Sequence, residues 1–145
     1  YVRDVGVGGS NPLIPTISRP KKTMPFRTRI RPFVDAELIQ ARAMRVARDY
    51  SAEFQHLERA HILGQASTIE HVRVHALMFA WALRQRRTRE LFGQAIRIIG
   101  AATKTVFGLV PVGNTGGSDV SPFKPMPIPA DLQRILESAS KKTTL

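Results

Sequence analysis

The chain contains no cysteine, which excludes disulfides, thiolate metal sites and cysteine nucleophiles. It also lacks an unbroken apolar run of the roughly eighteen residues that a membrane-spanning helix needs. The nearest approach, AIRIIGAATKTVFGLV at 95–110, is shorter and carries Arg97 and Lys104. The opening segment has no apolar core followed by a cleavage site, so a soluble cytoplasmic protein is the expectation. Acidic residues are scarce, 11 against 22 Lys and Arg, for a net charge of +11. That balance favours an anionic partner such as nucleic acid, a membrane surface or an acidic protein, and says nothing of the fold. Catalytic sets are missing too. Ser10, Ser51, Ser67 and Ser121 lie in no strand–turn–helix elbow, and no carboxylate pair suits glycoside chemistry.

At 145 residues the chain fits one domain. Residues 1–23 are rich in Gly and Pro without periodicity and are expected to be a disordered leader, with Met24 a candidate native start. From Pro32 the pattern turns helical: Phe33, Val34, Leu38, Ala41 and Met44 recur at three- and four-residue spacing. A second helix carries Phe54, Leu57, Ala60 and His61 and ends at Gly64, while a third starts at Ser67 or Thr68 and carries Val72, His75, Met78, Phe79 and Ala82. The fourth runs from Thr88 through Leu91, Ile96 and Ile99 to about Phe107. Helices joined by turns this short pack as antiparallel neighbours. The expected fold is therefore all-α. Two antiparallel helical hairpins, in a TPR-like or four-helix arrangement, are followed by a packed Pro/Gly-rich loop at 109–129. A short C-terminal helix from Ala130 closes a single domain over 24–139, and residues 140–145 form a frayed tail.

All four histidines fall within HLERAHILGQASTIEHVRVH at 56–75. If the turn between the second and third helices centres near residue 66, His61 and His71 are equidistant from it, and Glu58 and His75 nearly so. Glu58 and His61 share one helix face, and His71 and His75 share another. Should those faces meet, Glu58, His61, His71 and His75 form a metal-binding set between facing helices, suited to Zn, Fe, Ni or Cu. Gln65 and Glu70 flank it as candidates to orient the imidazoles. His56 points away along the same helix and is set aside. The competing explanation is a polar seam in which Glu58 and one histidine satisfy each other across the hairpin.

RIRPFVDAEL, HLERAHILGQ, HVRVH and VPVGNTGGSDVSPFKPMPIPADL together resemble an uncharacterised bacterial family, domain of unknown function 3703, over about residues 24–139. The resemblance implies a fold and a bacterial origin, and that Glu58, His61, Gln65, His71 and His75 are family positions. It implies no activity, substrate or cofactor.

GNTGG at 113–117 has neither the preceding strand nor the following Lys-Ser/Thr of a phosphate loop. Its glycines are expected to serve turns, with Asn114 and Thr115 lining a pocket. Arg84, Arg86, Arg87 and Arg89 crowd the hairpin turn between the third and fourth helices, where they make either a phosphate grip or a solvated basic turn. The leading function is a divalent-metal protein, leaning away from an enzyme. The alternatives are a helical-repeat module for an acidic protein partner and a nucleic-acid binder acting through the arginine turn.

Overall fold

The computed structural model describes residues 23–104, 111–121 and 123–141, so most of the expected leader and the end of the tail lie outside the described residues. Among the described residues there are five α-helices: α1 (Phe26–Val46), α2 (Tyr50–Gly64), α3 (Thr68–Arg84), α4 (Thr88–Lys104) and α5 (Ala130–Ser140). The fold is all-α.

Helix α1 begins six residues before Pro32, which therefore lies inside it. Ile30, Val34, Leu38 and Ala41 form its buried line at helical spacing. Pro32 is exposed, and the Thr28 carbonyl that it cannot satisfy is on an exposed residue too, which keeps the missing bond hydrated. Phe33, expected in the core, is on the outer side.

The same device joins α1 to α2 and α3 to α4. In the first turn the Asp49 N–H donates to the Met44 carbonyl at 3.0 Å and the Arg48 N–H to that of Arg45 at 3.1 Å. In the second, the Arg87 N–H donates to Ala82 at 2.9 Å and the Arg86 N–H to Leu83 at 3.2 Å. Both are Schellman closures. Each puts an arginine where glycine is usual, Arg48 at φ 60° and Arg86 at φ 53°. Asp49 then caps α2, its carboxylate accepting the Ala52 N–H at 2.9 Å.

Helix α2 meets α3 across a tighter join, with Gly64 facing the first turn of α3. A Cβ on Gly64 would come 3.1 Å from that of Glu70, so the absent side chain lets the two helices approach. Leu57, Ala60, Leu63, Val74 and Met78 fill the space between them, and α5 adds Leu132 and Ala139 where it crosses α1 and α2.

Helix α4 departs from the expected pattern. Among the described residues it packs on no helix but α3, so the four long helices do not close into a ring. Ile96 and Ile99, expected in its core stripe, are 71% and 69% exposed, while Gln94 is fully buried. The helix turns its polar side inward because polar groups are what it covers. In the loop 111–129, Val112 and Phe123 are largely exposed, while Ile128 packs against the core. Side-chain hydrogen bonds fix it, the Asn114 Nδ2 donating to the Ser121 carbonyl at 2.8 Å and the Lys124 carbonyl at 2.9 Å.

Candidate metal centre

Helix α2 contributes His61, and α3 contributes His71 and His75 one turn apart. The Nε2 atoms of His61 and His71 each lie 3.2 Å from Nε2 of His75. One ligand atom from each ring falls within 4.8 Å of the others, and all three residues are buried. An ion held at the usual zinc–imidazole distance by a tetrahedral set has neighbouring nitrogens about 3.3 Å apart. The two spacings to His75 match that edge, and the third, between His61 and His71, is held within 4.8 Å.

The outer faces of the rings fix where the protons are. His61 Nδ1 is 2.8 Å from the Asn114 carbonyl, which can only accept, so Nδ1 carries the hydrogen. His75 Nδ1 is 2.6 Å from Gln94 Oε1. The orientation of that amide is settled by its other end, where Nε2 donates to Glu90 Oε1 at 2.6 Å and the Gly116 carbonyl at 2.8 Å. His75 is therefore also protonated at Nδ1, and the Nε2 atoms of His61 and His75 face each other as two lone pairs. Neutral rings in this state cannot hydrogen-bond to each other across 3.2 Å.

A proton is a poor bridge here. Burial, reinforced by the His75 and His71 imidazoles, pushes His61 well below its ordinary range. Burial likewise lowers His71 to about 3, and His75 to about 4 despite its bond to Gln94. The positive charge of Arg97 lowers all three further. Three imidazoles kept neutral, two of them with lone pairs turned toward each other, are chemically a candidate ligand set for a borderline-soft cation.

Comparison with known proteins places this arrangement in a family. The sequence matches, over residues 28–136, the family described as Protein of unknown function (DUF3703). The chain belongs to that family. Neither a curated protein nor a solved structure matches it. The DUF3703 match contains all three histidines and both residues that orient them, Gln94 and Asn114.

Glu58, expected as a fourth metal ligand in this DUF3703 protein, does not join the trio. It lies across Gly117, in a neighbouring cleft of about 760 Å³ lined also by Trp81, Glu90 and Asp119. A Cβ on Gly117 would come 2.7 Å from Asp119 Oδ1 and 3.3 Å from Glu58 Oε1. Burial raises the Glu58 pKa, and Asp119 and Glu90 add to it. The Thr115 hydroxyl lies beside Glu58 and opposes that rise, but it makes no well-formed hydrogen bond. The spacing argument failed for Glu58 because the loop, invisible to helix periodicity, enters between that carboxylate and the rings.

Gln65 and Glu70 do not hold imidazoles either. Gln65 Oε1 is buried and has no hydrogen-bond partner among the described residues. Glu70 is buried against two arginines, Arg27 at 2.9 Å and Arg73 at 3.1 Å. The orienting groups that sequence reasoning missed are Gln94 and the Asn114 carbonyl. Asn114 was expected at a pocket, and it does line the histidine cleft, but its decisive atom is a backbone oxygen that no side-chain motif reports. Arg84 is withdrawn from the expected four-arginine grip by its ion pair with Glu53 at 2.6 Å, leaving Arg86, Arg87 and Arg89 on the rim of the Glu58 cleft. His56 faces α1, 2.7 Å from Glu37.

Proposed function

We propose that this DUF3703 protein binds one divalent transition-metal ion through Nε2 of His61, His71 and His75. The observation that carries the reading is the His61–His75 pair, two lone pairs 3.2 Å apart with both outer nitrogens donating to fixed acceptors. Facing lone pairs repel unless a cation lies between them, and burial opposes the proton. Zinc suits a tetrahedral three-imidazole set best, with Cu, Ni and Fe as competitors for the same nitrogens. Three protein ligands leave one coordination position for a water or another small molecule. All three histidines line a cleft of about 720 Å³, through which such a molecule would reach the ion. No helix among the described residues is long and apolar enough to cross a membrane.

Metal content by mass spectrometry, on protein purified without a histidine tag, tests this beside a His71→Ala/His75→Ala variant. Near-stoichiometric metal in the wild type and none in the variant is the expected result. If both come out empty, and added Zn, Cu, Ni or Fe leaves the melting temperature unchanged, the trio is a structural seam.

A second reading rests on a different observation, the outward apolar face of α4. Phe92, Ile96 and Ile99 lie on one side of that helix, each about 70% exposed. A helical interaction module would use such a face, and its partner would bind equally well after chelation.

A further inference from the structure

Arg97 stands in the wall of the histidine cleft, half-buried. Its Nη2 donates to the Gly117 carbonyl at 2.8 Å and also to the Val120 carbonyl. Nε and Nη1 make no hydrogen bond among the described residues. Glu90 and Asp119 are near enough to favour its charge, yet neither forms an ion pair with it. A guanidinium drawn part-way out of water without a bound counter-ion is costly. The burial shows in a proton affinity below the ordinary arginine value. Next to it, Ile96 and Ile99 line the same cleft and stay 71% and 69% exposed.

Three features thus share one cleft: an arginine with unused donors, an open position over the histidine trio, and an apolar wall. We propose that the cleft binds a monocarboxylate with a hydrocarbon body, its carboxylate shared between Arg97 and the ion on His61, His71 and His75. The proposal rests on the metal reading above. A carboxylate matches the planar fork of a guanidinium, and the hydrocarbon covers Ile96 and Ile99. A dianion such as phosphate fits less well, because Asp119 lines the cleft and Glu90 is close to Arg97.

The test uses the full chain loaded with Co(II), whose visible absorption bands report both arrival of the ion and changes at its open position. Hexanoate, acetate and inorganic phosphate are titrated in turn. We expect a saturable shift of the bands, hexanoate binding at least tenfold tighter than acetate and phosphate weaker than either. Arg97→Gln should weaken hexanoate at least tenfold while the starting cobalt spectrum is unchanged, which a merely structural arginine would not produce. Ile96→Ser/Ile99→Ser, on exposed positions, should erase the advantage of hexanoate over acetate and nothing else. If Arg97→Gln does not take up cobalt, that second variant and the wild-type series decide.

The proposal is overturned if wild-type cobalt bands ignore hexanoate, if phosphate binds tighter, or if either variant with intact bands binds hexanoate as the wild type does. A wild type that never develops cobalt bands fails earlier, at the metal reading, and is recognised by that.

Discussion

Gly116 lies against the ring of His61. At its φ of +84°, a Cβ would come 2.8 Å from Cγ and 2.9 Å from Cδ2 of that imidazole. The Gly116 carbonyl also accepts from Gln94, which in turn holds His75. One glycine therefore presses on the first histidine and anchors the support of the second. Gly116→Ala should destabilise the fold by about 1–3 kcal/mol from its left-handed backbone alone, and the displaced ring should loosen metal binding. Urea denaturation and zinc competition against a chelator measure the two effects. Unchanged values in both would mean that the loop does not hold His61.

Gln94 offers a test of the orienting contacts separate from the ligands. It is fully buried on α4 and spends both ends of its amide on the centre, accepting from His75 and donating to Glu90 and the Gly116 carbonyl. Gln94→Leu keeps similar bulk and removes those bonds. Metal affinity should fall roughly 10- to 100-fold, the usual consequence of losing a histidine's outer partner, while stoichiometry stays the same. Affinity equal to wild type would assign Gln94 to packing alone.

The imidazoles also predict a pH dependence for the metal-free protein. In the folded state His71 and His75 have pKa values near 3 and 4, against 6.5 for a free histidine. The unfolded chain therefore binds more protons in that window, and stability rises with pH across it. Stability should be complete above about 6.5 and drain away as the pH falls toward 4. Glu58, with a raised pKa, acts in the opposite sense, one carboxyl against three imidazoles. Urea unfolding in chelator at pH 7 and pH 4.5 should show a larger loss for the wild type than for His71→Ala/His75→Ala. Equal losses would place the acid sensitivity elsewhere.

Part of this centre was legible in the sequence. Equal spacing of His61 and His71 from the α2–α3 turn brings them together, because antiparallel helices rise at the same rate. His75 follows, one turn from His71 on the same face. Glu58 passed the same arithmetic and still lies outside, since spacing along two helices cannot register a loop that packs between them. Gln94 was hidden for a different reason. Hydrophobic periodicity assigns Ile96 and Ile99 to the core, and on α4 it selects the wrong face. Gln94, Arg97 and the small Gly93 and Ala101 form the inward line, while Ile96 and Ile99, which edge the same cleft, stay largely exposed. A polar row with small neighbours, on a helix next to a histidine cluster, is the signal that was present. The all-α class followed from periodicity, and turn residues mark the breaks after α1 and α3. The positive φ of Arg48 and Arg86 did not, because arginine carries no local mark of that conformation.

Two carboxylates near the centre, Glu58 and Glu70, separate ligation from scaffolding. Glu58 loses solvation where it stands and has Asp119 and Glu90 for neighbours, so a neutral amide of the same shape suits its position at pH 7. Glu58→Gln should hold metal as tightly as the wild type and unfold at the same or slightly higher denaturant concentration. Glu70 instead accepts charged hydrogen bonds from Arg27 and Arg73, and Arg73 also pairs with Asp35 at 2.6 Å. Glu70→Gln should cost roughly 1.5–3 kcal/mol, the range for hydrogen bonds to charged groups, with metal stoichiometry unaltered. Measuring chelator competition and urea midpoints on both variants divides the roles. A large drop in metal affinity for Glu58→Gln would restore it as a fourth ligand, and its cleft would then open onto the ion across Gly117. A drop confined to Glu70→Gln would mean that the first turn of α3, through His71, carries strain from the arginine cluster into the trio.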